Sequence, residues 1–241
     1  MMHRAAPEWL TQWEYAHRGL HSPGVPENSI AAAEAAIASG LGIECDVQMS
    51  RDNIAMVFHD AELDRLTGER GRVFLRTAAE LEAITLGTTG QRIGRLCDFL
   101  DYVAGRVPVL VEIKSPPDFA IETCVVVSQA LAAYRGEHAI MSFDPRVLKW
   151  YAKHSPRCGR GLVATDTLDH GFKSTWRHPH ALEAAVPDFL ACDLRDLPNA
   201  IADLWRETGR PVLSWTVRTR QLRERALLHA DALISEGDGL A

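Results

Sequence analysis

No stretch of this sequence is long and apolar enough to span a membrane: a run of about 18 apolar residues occurs nowhere in it. The opening residues, MMHRAAPEWLTQWEY, lack the apolar core that a secretory leader needs, so no signal peptide is expected. Paired cysteines are missing too. Cys45, Cys97, Cys124, Cys158 and Cys192 are odd in number, widely spaced and without a CxxC pair. That excludes a disulfide framework or zinc knuckle and fits reduced, mostly buried thiols in a cytoplasmic protein. An excess of positive charge is absent as well. A net charge of −6 speaks against a nucleic-acid partner, while leaving room for a local basic site that takes a small anion. Low-complexity segments, long linkers and solenoid repeats are lacking, so residues 1–241 are expected to form one domain.

What is present is a recurring pair, a short apolar strand followed by a helical stretch, which signals βαβ units and a parallel sheet. Strand segments fall at 14–18, 41–47, 107–113, 138–143, 159–164, 188–193, 211–217 and 231–235. Eight of them in 241 residues suggest a closed (β/α)₈ TIM barrel, which typically needs about 250, rather than an open sheet, although the count alone does not separate the two. Helices are expected over 29–39, with Asn28 and Ser29 as cap candidates and a stop at Gly40. Others are expected over 118–134, with Asp118 in the first turn, and over 219–229. Trp9, Leu10 and Trp13 read as a short helix packed over one end of the barrel. After the second strand, the polar turn Ser50-Arg51-Asp52-Asn53 leads into IAMVFHD, which predicts that 54–59 pairs back antiparallel. The stretch 61–94, with one short helix around 78–84, reads as a small insertion on one face of the barrel.

The chemistry concentrates at strand ends. In Ile43-Glu44-Cys45-Asp46-Val47, alternation sends Glu44 and Asp46 to one face and the apolar residues to the other. In Val109-Leu110-Val111-Glu112-Ile113-Lys114 it likewise groups Leu110, Glu112 and Lys114. Either pair alone is equally well explained by an edge strand or an internal ion pair. Three inward acids on two buried strands call for a cation, because like carboxylates repel and are costly to desolvate. An all-oxygen set suits Mg²⁺ or Ca²⁺ rather than zinc. His17-Arg18-Gly19 ends the first strand and His59-Asp60 ends the hairpin strand. Two histidines beside such a site suit phosphoryl chemistry, which needs one proton taken and one given. Arg18 and Lys114 supply positive charge for a phosphodiester anion.

AHRG at 16–19, PENS at 26–29, IECDV at 43–47, VFHD at 57–60, LTG at 66–68 and VEIK at 111–114 resemble, in order and spacing, the glycerophosphodiester phosphodiesterases. SFDP at 142–145, WTV at 215–217 and ADALIS at 230–235 extend the resemblance over nearly the whole chain. The resemblance implies a TIM barrel that cleaves a small-molecule glycerophosphodiester to sn-glycerol 3-phosphate and an alcohol, without stable membrane insertion. It implies Glu44, Asp46 and Glu112 as metal ligands, His17 and His59 as the acid–base pair, and Arg18 and Lys114 as phosphate ligands.

The sequence departs from the family at Ile93-Gly94-Arg95-Leu96, at the short 61–94 insertion, and at the end, ISEGDG over 234–239. Phe143 and Trp215 are candidates for an apolar wall against the glycerol moiety. Glu27 and Asn28 lie near the first strand end, where helix capping accounts for Asn28 equally well. His178-Pro179-His180 reads as a loop rather than a metal pair. Asp193 and Asp196 have no visible partner, and His21 ranks low as a phosphate contact. Two other functions compete: phospholipase-D-like cleavage of lysophospholipid or sphingolipid head groups, and a barrel that binds a phosphorylated ligand without turnover. The first needs an exposed apolar loop, for which 61–94 offers Val73, Phe74 and Leu75.

Overall fold

The chain, in a computed structural model that describes residues 5–116, 118–166, 182 and 185–240, starts its sheet with β1 (Tyr15–Ala16) and β2 (Gly42–Met49). A hairpin adds β3 (Ala55–Val57), antiparallel to β2, and β4 (Gly94–Arg95), antiparallel to β3. Then come β5 (Val109–Ile113), β6 (His138–Ser142), β7 (Gly159–Ala164), β8 (Phe189–Asp193), β9 (Val212–Val217) and β10 (Ala232–Ser235). β1, β2 and β5–β10 run parallel, and β1 pairs with both β10 and β2. The sheet is therefore a closed eight-stranded barrel. All eight strand segments expected from the sequence contribute to it, and the antiparallel return after β2 forms as expected.

Helices fill the crossovers: α1 (Ile30–Ala38), α2 (Ala78–Glu82), α3 (Leu96–Val103), α4 (Ala120–Leu131), α5 (Pro145–His154), α6 (Ala200–Glu207) and α7 (Arg220–His229). Ser29 caps α1 by accepting from the Ala32 N–H, and Thr219 caps α7 in the same way through Leu222. α4 is shorter than the expected 118–134: it begins after Phe119, so Asp118 precedes the helix and Glu122 takes the acidic place in its first turn. The insertion carries its own small core, in which Leu63, Val73, Leu81 and Leu86 pack on Met56 and Phe58.

Side-chain alternation splits the buried residues into two shells. Ile43, Cys45 and Val47 of β2 and Val109, Val111 and Ile113 of β5 face outwards and pack under the helices. Leu110, Met141, Val163, Phe189 and Leu213 face inwards and fill the floor of the barrel with Tyr15 and Leu10. Leu10 sits on the one-turn helix Glu8–Thr11, which plugs that end, and Tyr15 Oη donates to its carbonyl at 2.9 Å. Two glycines make room for the large rings. A Cβ at Gly42 would lie 2.6 Å from the Tyr15 ring, and one at Gly161 would lie 2.2 Å from that of Phe189. Burying each such side chain contributes about 1.5–3 kcal/mol. The apolar floor leaves only the opposite end, where the strands finish, for polar groups.

Cys45, Cys124 and Cys192 are buried and Cys158 is half-buried, all as free thiols. Cys97 is the exposed exception. No helix of the described residues is long and apolar enough to cross a membrane.

Candidate active site

The parallel register of β2 and β5 sets Asp46 beside Glu112 and Glu44 beside Leu110. Ligand oxygens of Glu44, Asp46 and Glu112 come within 4.8 Å of one another, and all three side chains are buried. Lys114 Nζ lies 3.0 Å from Asp46 Oδ1 and also pairs with Glu112 Oε1. Glu44 Oε2 accepts from the backbone N–H of Arg18 at 2.9 Å, whereas Glu44 Oε1 is buried with no hydrogen-bond partner among the described residues.

The loop after β1 is bent to make that contact. Arg18 has φ 57° and Gly19 φ 76°. A Cβ on Gly19 would approach the Ala32 Cβ to 2.8 Å, so glycine both supplies the left-handed turn and lets the loop lie against α1. Arg18, lacking that freedom, holds a conformation that costs about 1 kcal/mol or more and gains an N–H aimed at Glu44. Its side chain donates to Glu27 Oε1 at 2.7 Å and places Nε 3.3 Å from Asp46 Oδ2.

Asn28 serves the site, not the helix. Also at positive φ (56°), it donates through Nδ2 to Asp46 Oδ2 at 2.9 Å and accepts at Oδ1 from the Asp46 N–H at 3.1 Å. The capping role considered for it falls to Ser29. Gln48, next on the inward face of β2, points Nε2 at the carbonyl oxygens of Phe58, His59 and Asp60, at 3.0, 3.1 and 2.5 Å. That amide fixes the turn carrying His59. Strand alternation from Asp46 would have flagged Gln48.

His17, Arg18, Glu44, His59, Glu112 and Lys114 line one cavity of about 410 Å³, with Phe143 and Trp215 on its wall. Phe143 and Trp215 meet edge to face at 5.7 Å, and Trp215 Nε1 donates to the Ala191 carbonyl at 2.8 Å. All nine candidate residues thus meet at one end of the barrel. His59 Nδ1 is 2.6 Å from Asp60 Oδ1, and Arg65 clamps the other Asp60 oxygen at 2.5 Å while also pairing with Glu27. His17 Nδ1 is 2.5 Å from Glu236 Oε2, a partner the sequence reading missed. It lies in the atypical C-terminal loop, 219 positions away, where no periodicity points to it. His21 contacts Glu236 rather than facing the carboxylates, at 3.3 Å.

The electrostatics follow from burial and neighbours. Burial, then Asp46 and Glu112, push the Glu44 carboxyl well above its usual range. Burial works the same way on Asp46, yet Lys114, His59 and Arg18 together hold it below the ordinary carboxylate value. For Glu112 burial wins over Lys114, and its pKa is raised. Burial lowers His17 despite its bond to Glu236, and lowers His59 to about 4.

Other tempting residues have structural partners. Asp193 binds Arg195 and accepts from Thr165 Oγ1 at 3.1 Å, and Asp196 accepts from the Asp166 N–H at 2.7 Å. His178-Pro179-His180 lies outside the described residues.

A model of the Glycerophosphoryl diester phosphodiesterase family matches residues 17–236. A glycerophosphodiester phosphodiesterase of Caldanaerobacter subterraneus subsp. tengcongensis is 29% identical over 225 residues, covering 88% of each chain. Among solved structures, an Oleispira antarctica phosphodiesterase in complex with the product sn-glycerol-3-phosphate gives a TM-score of 0.82 at 22% identity, over 95% of this chain and 93% of that one. A glycerophosphodiester phosphodiesterase from Thermotoga maritima gives 0.75 at 22% identity, over 98% and 96%. These two structures share the barrel fold.

Proposed function

The chain belongs to the glycerophosphoryl diester phosphodiesterase family, and from that premise we propose that it hydrolyses glycerophosphodiesters to sn-glycerol 3-phosphate and an alcohol. One observation carries the reading: a three-carboxylate cluster opens into the same cavity as two histidines, each with Nδ1 tied to a carboxylate. Asp60 and Glu236 are both held below the usual carboxylate range, so at neutral pH they only accept. Each Nδ1 therefore donates, and each Nε2 is left for chemistry.

His17 and His59 then form the acid–base pair. One Nε2 takes a proton from the attacking hydroxyl: a water, which gives glycerol 3-phosphate directly, or the glycerol 2-hydroxyl, which gives a cyclic phosphate that a water then opens in a second step of the same kind. The other histidine, once protonated, gives its proton to the departing alkoxide. Arg18 and Lys114 offset charge on the phosphoryl oxygens. Phe143 and Trp215 give the glycerol carbons an apolar face. Residues 1–241 act as one catalytic unit, with 61–94 as a part of it.

Glu44, Asp46 and Glu112 fit a hard divalent cation, Mg²⁺ or Ca²⁺. The donors are all oxygens, Glu44 Oε1 is buried and unpartnered, and no salt bridge reaches Glu44 among the described residues. Lys114 pairs directly with Asp46 and Glu112 and acts on Glu44 only at longer range, too weakly to offset its burial. When bound, such an ion polarises the phosphoryl oxygens. Release of glycerol 3-phosphate from glycerophosphocholine and glycerophosphoethanolamine, followed by a coupled assay with and without chelator, tests the proposal. Turnover that survives both chelation and His17→Ala would sink the site assignment.

A second reading, cleavage of lysophospholipid head groups, has one observation in its favour. A neighbouring cavity of about 530 Å³ shares His59, Lys114 and Phe143 and reaches Phe74. Phe74 contacts Phe119 at 6.1 Å between ring centres, and Phe119 and Leu75 are exposed, whereas Val73 is buried in the insertion's core. Co-sedimentation with phosphatidylcholine vesicles separates the two readings, since only the second needs binding.

A further inference from the structure

His17 and Glu236 meet across the seam where the barrel closes. The backbone N–H of His17 donates to Ser235 at 2.8 Å, and that of Glu236 donates to Val217 at 2.9 Å, so both residues are pinned by the ends of β1, β9 and β10. The two side chains are 11% and 18% exposed, enough to keep water from competing strongly for the bond between them. Arg218 Nε holds the second carboxylate oxygen, Oε1, at 2.5 Å, which stops the carboxylate from turning away. The result is an Arg218–Glu236–His17 chain. On the other histidine, Arg65–Asp60–His59 has the same order of groups.

We propose that Glu236 is a positioning residue for His17: its carboxylate, anchored by Arg218, keeps the imidazole in the Nδ1–H tautomer and aims Nε2 into the cavity. This rests on the reading of His17 as one of the acid–base pair. A carboxylate behind a histidine fixes ring orientation and tautomer and stabilises the imidazolium when it forms. The bond is charge-assisted, which makes it short and stronger than a neutral one. A metal site made of His17, His21 and Glu236, whose ligand atoms lie within 4.8 Å, is the competing use of these residues. Direct contact at 2.5 Å between His17 and Glu236, together with the guanidinium already on that carboxylate, disfavours it.

The test pairs spectroscopy with kinetics on the full chain. In ¹⁵N-labelled wild type, a downfield proton bound to His17 Nδ1 is expected, and it should vanish in Glu236→Ala and in His17→Ala. Glu236→Ala should lower kcat by about 10²-fold, the lower end of what an acid–base residue contributes, with KM changed by less than about threefold. Glu236→Asp should recover part of kcat. In the His17→Ala background, Glu236→Ala should change nothing further. Should Glu236→Ala fail to fold, the isosteric Glu236→Gln takes its place, with the same kcat-selective loss expected. Wild-type kcat in either variant, a surviving Nδ1 proton in Glu236→Ala, or a loss that adds to that of His17→Ala overturns the pairing. A wild type that turns over no glycerophosphodiester overturns the proposed function itself and the pairing with it, so the two failures are told apart.

Discussion

His17 is held by the two ends of the chain, whereas His59 is held by its own neighbourhood. The first depends on barrel closure, since its partner Glu236 follows the last strand and its backbone bonds that strand. The second has its carboxylate as the next residue, its turn fixed by Gln48 and its clamp, Arg65, five residues beyond Asp60. The same histidine–carboxylate pairing is thus built once from long-range contacts and once from local ones. The seam forms only when the first and last strands register.

Replacing either histidine by alanine is the most drastic way to probe that difference. His17→Ala and His59→Ala are each expected to lower kcat by about 10²–10⁴-fold in the glycerol 3-phosphate assay. A large loss in one and none in the other would break the equivalence of the two positions.

Stability against pH gives the next largest effect; burial lowers both histidines, and the His59 share can be followed on its own. Burial holds His59 at about 4 in the folded chain, while an unfolded histidine titrates at about 6.5. Between these values the unfolded state binds a proton that the folded state refuses. Stability therefore falls as pH drops from about 6.5 to about 4, with a total on the order of 3 kcal/mol. Below that window the contribution is constant. Denaturant titrations across this range should show a shallower fall in His59→Asn than in wild type; identical slopes would contradict the shift.

Gln48→Ala sharpens the comparison at lower amplitude. Loosening the His59 turn is expected to cost about tenfold in kcat and to leave the His17 Nδ1 proton signal in place. Movement of that signal would mean the two positions are coupled. Smallest of all is Arg65→Ala. Arg65 is half exposed, so its loss should change stability by less than about 1 kcal/mol by thermal denaturation, even though it links Asp60 to Glu27.

The same division decides what was legible in the sequence. Glu44 and Asp46 could be brought together from strand alternation, because a period of two sends them to one face, and Glu112 joins them once its inward face is set beside theirs by the pairing of β2 with β5. His59 and Asp60 are adjacent, so their pairing was open to view. Asn28 was obscured by competition between two local roles: its positive φ turns the side chain toward Asp46, and the cap passes to Ser29. The partners of Asp193 carry no periodic signal: Arg195 comes two residues later on the strand-end turn, and Thr165 reaches it from the end of the neighbouring strand. Glu236 and Arg218 were out of reach. Their meeting with His17 is a product of closure, and no spacing in the chain encodes it.

Turnover of glycerophosphocholine by His17→Ala, His59→Ala and the double variant, measured side by side, tests most directly whether both histidines serve one reaction. Each single variant is expected to fall nearly as far as the double, because two groups acting on one proton-transfer sequence do not contribute independently. Single losses that multiply in the double variant, or a single variant with wild-type turnover, would contradict a shared acid–base site.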